Sequence, residues 1–390
     1  MIPALLPLHN RAPLAFERGE GCSLFDAQGR RYLDFICGIG VTGFGHAHPR
    51  LVAALIEQAR KVWHVSNLYE IPTQTRLAER LVEATFADSV FFFNSGAEAI
   101  ECSIKMVRKH FDHIGQPERY RIITFEGAFH GRTLAAVSAG GQPKHLDGFA
   151  PAVEGFDKAP FGDLEAVRRA LKPESAAILI EPVQGESGIR PAGEAFLKGL
   201  RSFADEAGLL LVFDEVQCGM GRTGKLLAHE WAGVEPDIAA IAKALGGGFP
   251  IGACLAKEAP ASAMTVGSHG TTFGGNPLAT AVANAVLDIV LAPGFLEGVV
   301  EKGRILRAAL EGLVARHPRI VCEVRSEGLM AGLKCVVPNG EVVTALRAQG
   351  LLAGPAGDNV LRLLPPLIVG KSEIKEATAI MDRVFGALAR

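Results

Sequence analysis

Three short segments of this 390-residue chain carry side chains that could do chemistry together. Asp214 follows the apolar run 209–213, and Lys243 follows the apolar run 238–242. Asn94, Ser95 and Gly96 come directly after a third such run, 90–93. Ligands of open α/β sheets bind outside the carboxyl ends of the strands, so we expect these segments to share a site.

Taken one at a time, each segment also fits a purely structural role. The carboxylate of Asp214 must be paired or solvated, which a helix cap or salt bridge would achieve. A desolvated lysine has a lowered pKa and attacks carbonyl groups, but Lys243 alone fits a surface lysine as well. Free N–H groups at a helix start near Ala97 could bind phosphate, whereas Ser95 also fits a plain N-cap.

The combination is more specific than its parts. Pyridoxal 5′-phosphate (PLP) needs a lysine for its aldehyde, a carboxylate for its pyridine nitrogen and a cup for its phosphate. Lys243, Asp214 and the segment 95–97 supply all three, and Gly246–Gly248 leave room beside the lysine. Asp214 would keep the ring nitrogen protonated, so that the ring accepts electrons. The sequence therefore predicts a PLP site.

Alternating short apolar strands and amphipathic helices must position these residues. The pattern predicts strands at 90–93, 121–125, 176–180, 209–213 and 252–256, and helices at 97–111, 163–171 (with Asp163 as N-cap) and 193–207. Continuous apolar strands indicate a mainly parallel sheet covered on both faces. Before them, 21–35 reads as a hairpin turning at Gln28-Gly29, and Pro49 opens a helix to about residue 61.

The pattern of apolar and polar residues changes near residue 277, which predicts a second, smaller domain. Longer helices follow it, with strands near 320–335 and 360–364. We expect an N-terminal segment, 1–48, that packs with the small domain, a large domain, 49–276, and a small α+β domain, 277–390.

Composition narrows the class of protein. The net charge of −2 disfavours nucleic-acid binding, and 48% hydrophobic residues allow a sizeable core. Seven scattered cysteines without a Cys-x-x-Cys pair predict neither a disulfide framework nor a zinc site, and we expect no metal. The N-terminus lacks a signal-peptide pattern, and no run reaches membrane-spanning length, so we expect a cytoplasmic protein that does not associate with membranes.

Two glycine-rich motifs resemble nucleotide-binding motifs, but each lacks a feature that nucleotide binding requires. Gly38–Gly43 spells G-x-G-x-x-G but is separated from the next helix and lacks the acidic residue that binds ribose. Residues 219–225, GMGRTGK, resemble a P-loop, but Leu226 stands where the magnesium-binding hydroxyl belongs. A nucleotide-binding protein remains the distant alternative. His46 and His48 lack a nearby third metal ligand and fit a loop.

Eight segments spread over nearly the whole chain resemble the class III (ω-amino acid) aminotransferases of PLP fold type I, which is aspartate aminotransferase-like. They are HVSNLY (64–69), FFFNSGAEA (91–99), FEGAFHGRT (125–133), EPVQGESG (181–188), DEVQCGMGRTG (214–224), AKALGGGFPIGA (242–253), TTFGGNPLA (271–279) and LRLLPPLIV (361–369). The resemblance implies a PLP-dependent transaminase with a large, mostly parallel domain plus a smaller α+β domain.

The resemblance assigns cofactor roles to ten residues. Lys243 would hold the cofactor as a Schiff base and shuttle protons, and Asp214 would pair with the ring nitrogen. Gln217 would lie near the phenolic oxygen, and Phe129 would stack on the ring. Thr272 would reach the phosphate of the partner subunit, which implies a homodimer. The complete implied set is Ser95, Gly96, Ala97, Phe129, Asp214, Glu215, Val216, Gln217, Lys243 and Thr272. Ala97 replaces a threonine common in relatives, which removes a side-chain contact but leaves the backbone cup.

Four further residues are implied to bind substrates. Arg132 and Thr271 would contact the amino donor, Arg362 would bind the α-carboxylate of glutamate and 2-oxoglutarate, and Glu186 would pair with Arg362 in its absence. The expected reaction transfers the terminal amino group of N2-acetylornithine to 2-oxoglutarate in arginine biosynthesis. Succinyldiaminopimelate, succinylornithine, ornithine and 4-aminobutyrate stay open as donors. An aminomutase of the same fold is less favoured. A catalytically silent PLP-fold protein is also less favoured, because Lys243 and Asp214 are both present.

Overall fold

The computed structural model describes residues 3–390; Met1 and Ile2, which begin the predicted segment 1–48, lie outside the described residues. The strands are β1 (Phe16–Glu20), β2 (Ser23–Asp26), β3 (Arg31–Asp34), β4 (Ser89–Phe93), β5 (Arg121–Phe125), β6 (Phe156–Ala159), β7 (Ser175–Ile180), β8 (Val183–Gln184), β9 (Arg190–Pro191), β10 (Leu210–Asp214), β11 (Ile238–Ile241), β12 (Gly252–Ala256), β13 (Val321–Glu327), β14 (Met330–Cys335), β15 (Leu351–Leu352), β16 (Gly354–Ala356) and β17 (Val360–Leu363).

In the described part of the chain, twelve α-helices connect and cover these strands. They are α1 (Cys37–Gly40), α2 (Pro49–Ala59), α3 (Pro72–Ala84), α4 (Gly96–His113), α5 (Leu134–Ala139), α6 (Leu164–Arg169), α7 (Glu194–Ala207), α8 (Glu258–Ser262), α9 (Pro277–Val290), α10 (Phe295–Arg316), α11 (Asn339–Ala348) and α12 (Lys371–Leu388).

A seven-stranded sheet in the order β4-β12-β11-β10-β7-β5-β6 forms the centre of the molecule. Only β12 runs against its neighbours, and the other six strands share one direction. Every residue of β7, β10, β11 and β12 is buried. Such strands read as continuous apolar runs because both faces are covered. The predicted mainly parallel sheet is confirmed.

Helices cover both faces of this sheet. Helix α4 packs on β11 and β12, and α7 packs on β10 and β7. Along β10, Leu210 and Val212 join one apolar cluster while Leu211 and Phe213 join the other. Successive side chains of a strand point to opposite faces, so each helical layer meets its own half of the strand. The side chain of Asp163 accepts a hydrogen bond from the N–H of Ala166, as the N-cap prediction requires.

The two ends of the chain meet in a separate sheet, ordered β1-β2-β3-β15. The hairpin of β2 and β3 was predicted, and β15 adds a parallel strand to it from the C-terminal part. Arg31 also pairs with Glu376 at 2.7 Å. A third sheet, β13-β14-β17-β16, carries Arg362 on β17. Helix α9, which the domain prediction places after residue 276, packs on α2 and α3, and the domain boundaries stay a prediction.

Within residues 3–390 no single helix is both long and apolar enough to cross a membrane. The bent pair α9 and α10 meets the length and composition criteria only when taken together, with a 72° angle between the helices.

Candidate active site

The carboxyl edge of the central sheet gathers the predicted chemical groups. Because six strands run the same way, their carboxyl ends lie along one edge, with Asp214 ending β10 and Lys243 following β11. A cavity of about 400 Å³ opens there. Its lining includes Val41, Asn94, Ser95, Gly96, Ala97, Phe129, His130, Gly131, Arg132, Glu181, Asp214, Val216, Gln217, Ala242, Lys243, Gly248, Phe249, Pro250 and Ile251.

Asp214 is held rigidly at this edge. Only 4% of the Asp214 surface is exposed to solvent. The N–H of Val216 donates to Oδ1 at 3.0 Å, and Nδ1 of His130 lies 2.8 Å from Oδ2. An ionised carboxylate only accepts hydrogen bonds, so Nδ1 of His130 carries the hydrogen. These two contacts fix the orientation of the Asp214 carboxylate towards the cavity.

Lys243 follows β11 with an unusual backbone. Its φ is +47°, in the left-handed region that few residues other than glycine adopt. Such conformations concentrate at functional sites, where surrounding structure holds them in place. Burial lowers the pKa of the Lys243 amine from its usual 10.5, while the negative charges of Glu186 and Asp214 oppose that shift. More of the amine is therefore neutral, and able to act as a nucleophile or base, than for a lysine in water.

The N-terminus of α4 presents backbone donors to the cavity. Ser95 caps the helix by accepting from the N–H of Glu98 at 3.3 Å. The Glu98 carboxylate in turn accepts from the Ser95 hydroxyl and from the N–H of Asn94, at 2.9 and 3.0 Å. First-turn N–H groups such as those of Gly96 and Ala97 have no acceptor within the helix. Gly96 is also tightly approached, since an added Cβ would lie 2.6 Å from Val216.

The loop after β5 brings an aromatic ring and a cation to the cavity. Phe129 and Arg132 both line it. The guanidinium carbon of Arg132 lies 5.4 Å from the centre of the Phe129 ring, within the range of a cation–π contact. Arg132 is exposed and forms no ion pair with the carboxylates of residues 3–390. It is therefore available to a carboxylate from outside.

A second arginine lies behind the cavity and is already paired. Arg362 is 3% exposed, and its Nη1 donates to Oε1 of Glu186 at 2.5 Å. Gln217 bridges the pair, accepting from Arg362 at 3.4 Å and donating to Glu186 at 3.5 Å. Burial alone would raise the pKa of Glu186, but the Arg362 guanidinium outweighs it and holds that pKa below the usual 4.5. Neither member of the pair lines the cavity, whereas Gln217 does.

Three other predicted residues do not reach the cavity of their own chain. The Glu215 carboxylate turns away from it and accepts from the N–H groups of Ala228 and His229, both at 2.9 Å. Thr271 is half-buried and accepts from the N–H of Gly274 at 3.1 Å. Thr272 lies exposed on the same loop. The Glu215 carboxylate is thus occupied by backbone donors, and its expected contact with the cofactor stays a prediction.

Two titratable residues of the cavity were not predicted from the sequence. His130 holds Asp214, and Glu181 follows the buried strand β7 at the same edge. Glu181 could have been found by the reasoning that identified Asp214, because both are acids placed directly after an apolar strand. No sequence signal predicted the hydrogen bond of His130, since it joins residues that lie far apart in the chain.

The glycine-rich motifs have other uses. Val41 of the first motif lines the cavity, and Gly38 and Ile39 before it have positive φ values. Arg222 of the second motif is 1% exposed and donates to the carbonyl oxygens of Leu329 and Pro365. That segment is a tight turn rather than a loop opening a helix, so its form differs from a P-loop.

Comparison with known proteins agrees with this geometry. The family model described as "Aminotransferase class-III" matches residues 7–385. An acetylornithine aminotransferase of Mesorhizobium japonicum is 63% identical, over 96% of this chain and 94% of the relative.

Two solved structures are similar over almost the whole length. The N-acetylornithine aminotransferase of Stenotrophomonas maltophilia is 39% identical with a TM-score of 0.86, covering 97% of each chain. The ornithine aminotransferase of Toxoplasma gondii is 30% identical with a TM-score of 0.94, covering 98% of this chain and 92% of the other.

These comparisons confirm the expected fold class, PLP fold type I, and the expected cofactor. The chain belongs to the class III aminotransferases, enzymes that use PLP to transfer amino groups.

Proposed function

We propose that this enzyme transfers the terminal amino group of N2-acetylornithine to 2-oxoglutarate, and that it serves arginine biosynthesis as a homodimer. The similarity to proteins named acetylornithine aminotransferase, 63% identical in one case, supports the donor. The cytoplasmic location expected from the sequence stays a prediction.

The residues at the sheet edge fit PLP. The unpaired first-turn N–H groups of α4 suit its phosphate, and the helix dipole adds to that attraction. The buried carboxylate of Asp214 suits a protonated ring nitrogen, and Phe129 and Val216 supply apolar surface for the two ring faces. Gln217 would lie near the phenolic oxygen. The methyl group of Ala97 adds no hydrogen bond, so the phosphate cup depends on backbone donors.

When bound, PLP supplies an aldehyde for the amino group and a ring that accepts electrons. Lys243 would bind the aldehyde and then, as a free amine, carry a proton to and from the reacting carbon. Its lowered pKa favours the neutral amine that this role needs. Asp214, held by His130 and Val216, would keep its negative charge facing the ring nitrogen.

The two arginines would bind the two substrates differently. Acetylornithine presents one carboxylate, for which the exposed and unpaired Arg132 suffices. Glutamate and 2-oxoglutarate present two carboxylates, so a second cation is needed near the reacting carbon. Arg362 is that cation, and it is neutralised by Glu186 when only one carboxylate is present.

The partly buried pair of Glu186 and Arg362, joined by Gln217 to the cavity, is the observation that carries this proposal. A permanently unpaired Arg362 would attract the α-carboxylate of any amino acid and present the wrong amine. In the first half-reaction, acetylornithine gives up its amino group, and the pairing of Arg362 with Glu186 removes that attraction. In the second half-reaction, 2-oxoglutarate accepts the amino group, and displacement of Glu186 restores the attraction. Arginine suits this exchange because its planar fork binds carboxylates with two parallel hydrogen bonds.

A competition among amino donors tests the substrate. Purified enzyme loaded with PLP is mixed with 2-oxoglutarate and, separately, acetylornithine, succinylornithine, ornithine, succinyldiaminopimelate or 4-aminobutyrate, and glutamate formation gives kcat/KM for each. We expect acetylornithine to have the highest value. A higher kcat/KM with unacylated ornithine or 4-aminobutyrate would show that the proposed donor is wrong. Replacing 2-oxoglutarate by pyruvate tests the acceptor, since pyruvate has only one carboxylate.

A further inference from the structure

Glu181 is a buried acid of the cavity that the proposed roles leave unused. It follows β7, is 7% exposed, and lines the same cavity as Asp214 and Lys243. Among residues 3–390 it has no ion-pair partner, and its buried Oε2 has no hydrogen-bond partner. An ionised carboxylate in such a place would be strongly destabilised unless a cation compensated it.

The neighbours of Glu181 make a second negative charge still less favourable. Polar side-chain atoms of Glu181, Asp214 and His130, one from each residue, lie within 4.8 Å of one another. Burial raises the pKa of Glu181 well above 4.5, and the charge of Asp214 raises it further. Glu186 adds to this effect, while the amine of Lys243 and the backbone of Phe129 oppose it. The nearby Asp214 carboxylate therefore disfavours a second negative charge on Glu181.

The hydrogen bonds distinguish the two acids. Asp214 accepts from the N–H of Val216 and from His130. Glu181 has no comparable pair of donors. The surroundings of Glu181 therefore favour its neutral form.

We propose that Glu181 is held as a neutral carboxylic acid and acts as a positioning residue, so that a single negative charge, on Asp214, faces the ring nitrogen of the cofactor. The inference rests on the proposed cofactor site. A neutral acid fills the space beside Asp214 and can donate one hydrogen bond there without adding charge. An ionised Glu181 would place a second negative charge beside the ring.

Infrared spectroscopy of the PLP-loaded enzyme tests the protonation state directly. A protonated carboxyl group shows a C=O stretch that is separate from carboxylate bands and shifts in heavy water. We expect such a band at neutral pH in the unmutated enzyme and its loss in Glu181→Gln. Glu327→Gln is the control, because Glu327 is another acid whose pKa burial raises, on β13, and it does not line the cavity. If Glu181→Gln leaves the protonated-carboxyl band unchanged, Glu181 is ionised, through Lys243 or a bound metal ion, and the proposal is overturned.

Measurement of PLP affinity distinguishes a neutral Glu181 from a charged one. Glutamine has nearly the shape of the protonated acid and is uncharged. Glu181→Gln is therefore expected to retain most of the PLP affinity, whereas Glu181→Ala should lose about ten-fold by leaving a gap beside Asp214. Equal losses in both variants would show that the charge of Glu181 matters. Neither readout depends on the amino donor, so an error in the proposed substrate would leave this test intact.

Discussion

The carboxyl edge of the central sheet and the region around the two arginines are built in different ways. At the edge, Asp214 and Lys243 belong to the ends of adjacent, hydrogen-bonded strands and are enclosed by buried backbone. The arginines sit on different supports: Arg132 is on an exposed loop, while Arg362 is on β17 of the small sheet, paired with Glu186. We call the first the fixed region and the second the adaptable region, because we propose that Arg362 changes partners there.

This difference matches what an amino-transfer cycle requires. Either substrate would react with the same bound cofactor, so the groups that move protons must not depend on which substrate is present. The two proposed substrates differ in their number of carboxylates, so the groups that recognise them would have to adapt. Substitutions in the fixed region should therefore slow both half-reactions alike, and substitutions in the adaptable region should slow them unequally.

Lys243→Ala should have the largest effect. Loss of the amine removes both the attachment point of the cofactor and the proton carrier, and general acid–base groups contribute about 10²–10⁴-fold. We expect both half-reactions to slow by at least that factor, measured by single-turnover absorbance of the bound cofactor. Reductive trapping of PLP on the unmutated enzyme, followed by peptide mapping, provides the check. Label on any lysine other than Lys243 would contradict the assignment.

Asp214→Asn should come next. The amide cannot balance a protonated ring nitrogen, and loss of such a preorganised electrostatic contact costs about 10²–10³-fold. Both half-reactions should again slow together, because the ring serves both. Asp237→Asn is a suitable control, since Asp237 is an acid before β11 that pairs with Arg201 and does not line the cavity. Near-normal turnover in Asp214→Asn would remove Asp214 from its proposed role.

The pair of Glu186 and Arg362 should split the half-reactions. Arg362→Ala is expected to slow the glutamate half-reaction by about 10²-fold, the effect of losing a buried charged partner, and the acetylornithine half much less. Glu186→Ala should speed the glutamate half relative to the acetylornithine half, because Arg362 is then always available. Glu323→Ala, which breaks the surface pair with Arg325, is the matched control. Equal slowing of both halves in both variants would mean that the pair is only structural.

Thr272 should have the smallest effect, and its test asks which subunit it serves. Thr272→Ala is expected to weaken PLP binding by about ten-fold or less, as for a single hydrogen bond. Mixed dimers of Thr272→Ala with Lys243→Ala decide the geometry. In such a dimer, one subunit keeps Lys243 and the other keeps Thr272. If Thr272 acts across the interface, the site that keeps Lys243 receives the intact Thr272 of the partner subunit, and the PLP affinity of that site is normal. Weak binding in the mixed dimer would show that each Thr272 serves its own subunit.

The sequence predicted the fixed region well because its signals are local. An apolar run followed by Asp214 or by Lys243 identifies a strand and a polar residue at its end, and parallel direction then brings those ends together. The bounds of β5 and β12 agree with the prediction to the residue. These features need no knowledge of distant contacts.

Local signals could not supply contacts between remote segments. The bond of His130 to Asp214 joins the loop after β5 to the end of β10. The bond of Arg362 to Glu186 joins β17 to the loop between β8 and β9, and only the family resemblance, not a local signal, led us to expect it. The orientation of Glu215 was also hidden, because adjacent residues in a turn after a strand can point either into the cavity or away from it. Only the folded backbone decides which one faces a ligand.

The pairing of β3 with β15 sets the order in which the molecule can be completed during synthesis. The hairpin of β2 and β3 leaves the ribosome early, whereas β15 emerges only when most of the chain has been made. Until then, the outer edge of β3 has unsatisfied backbone groups, a state that favours association with other nascent chains. Leu33, which is buried in the finished sheet, is part of that exposed edge.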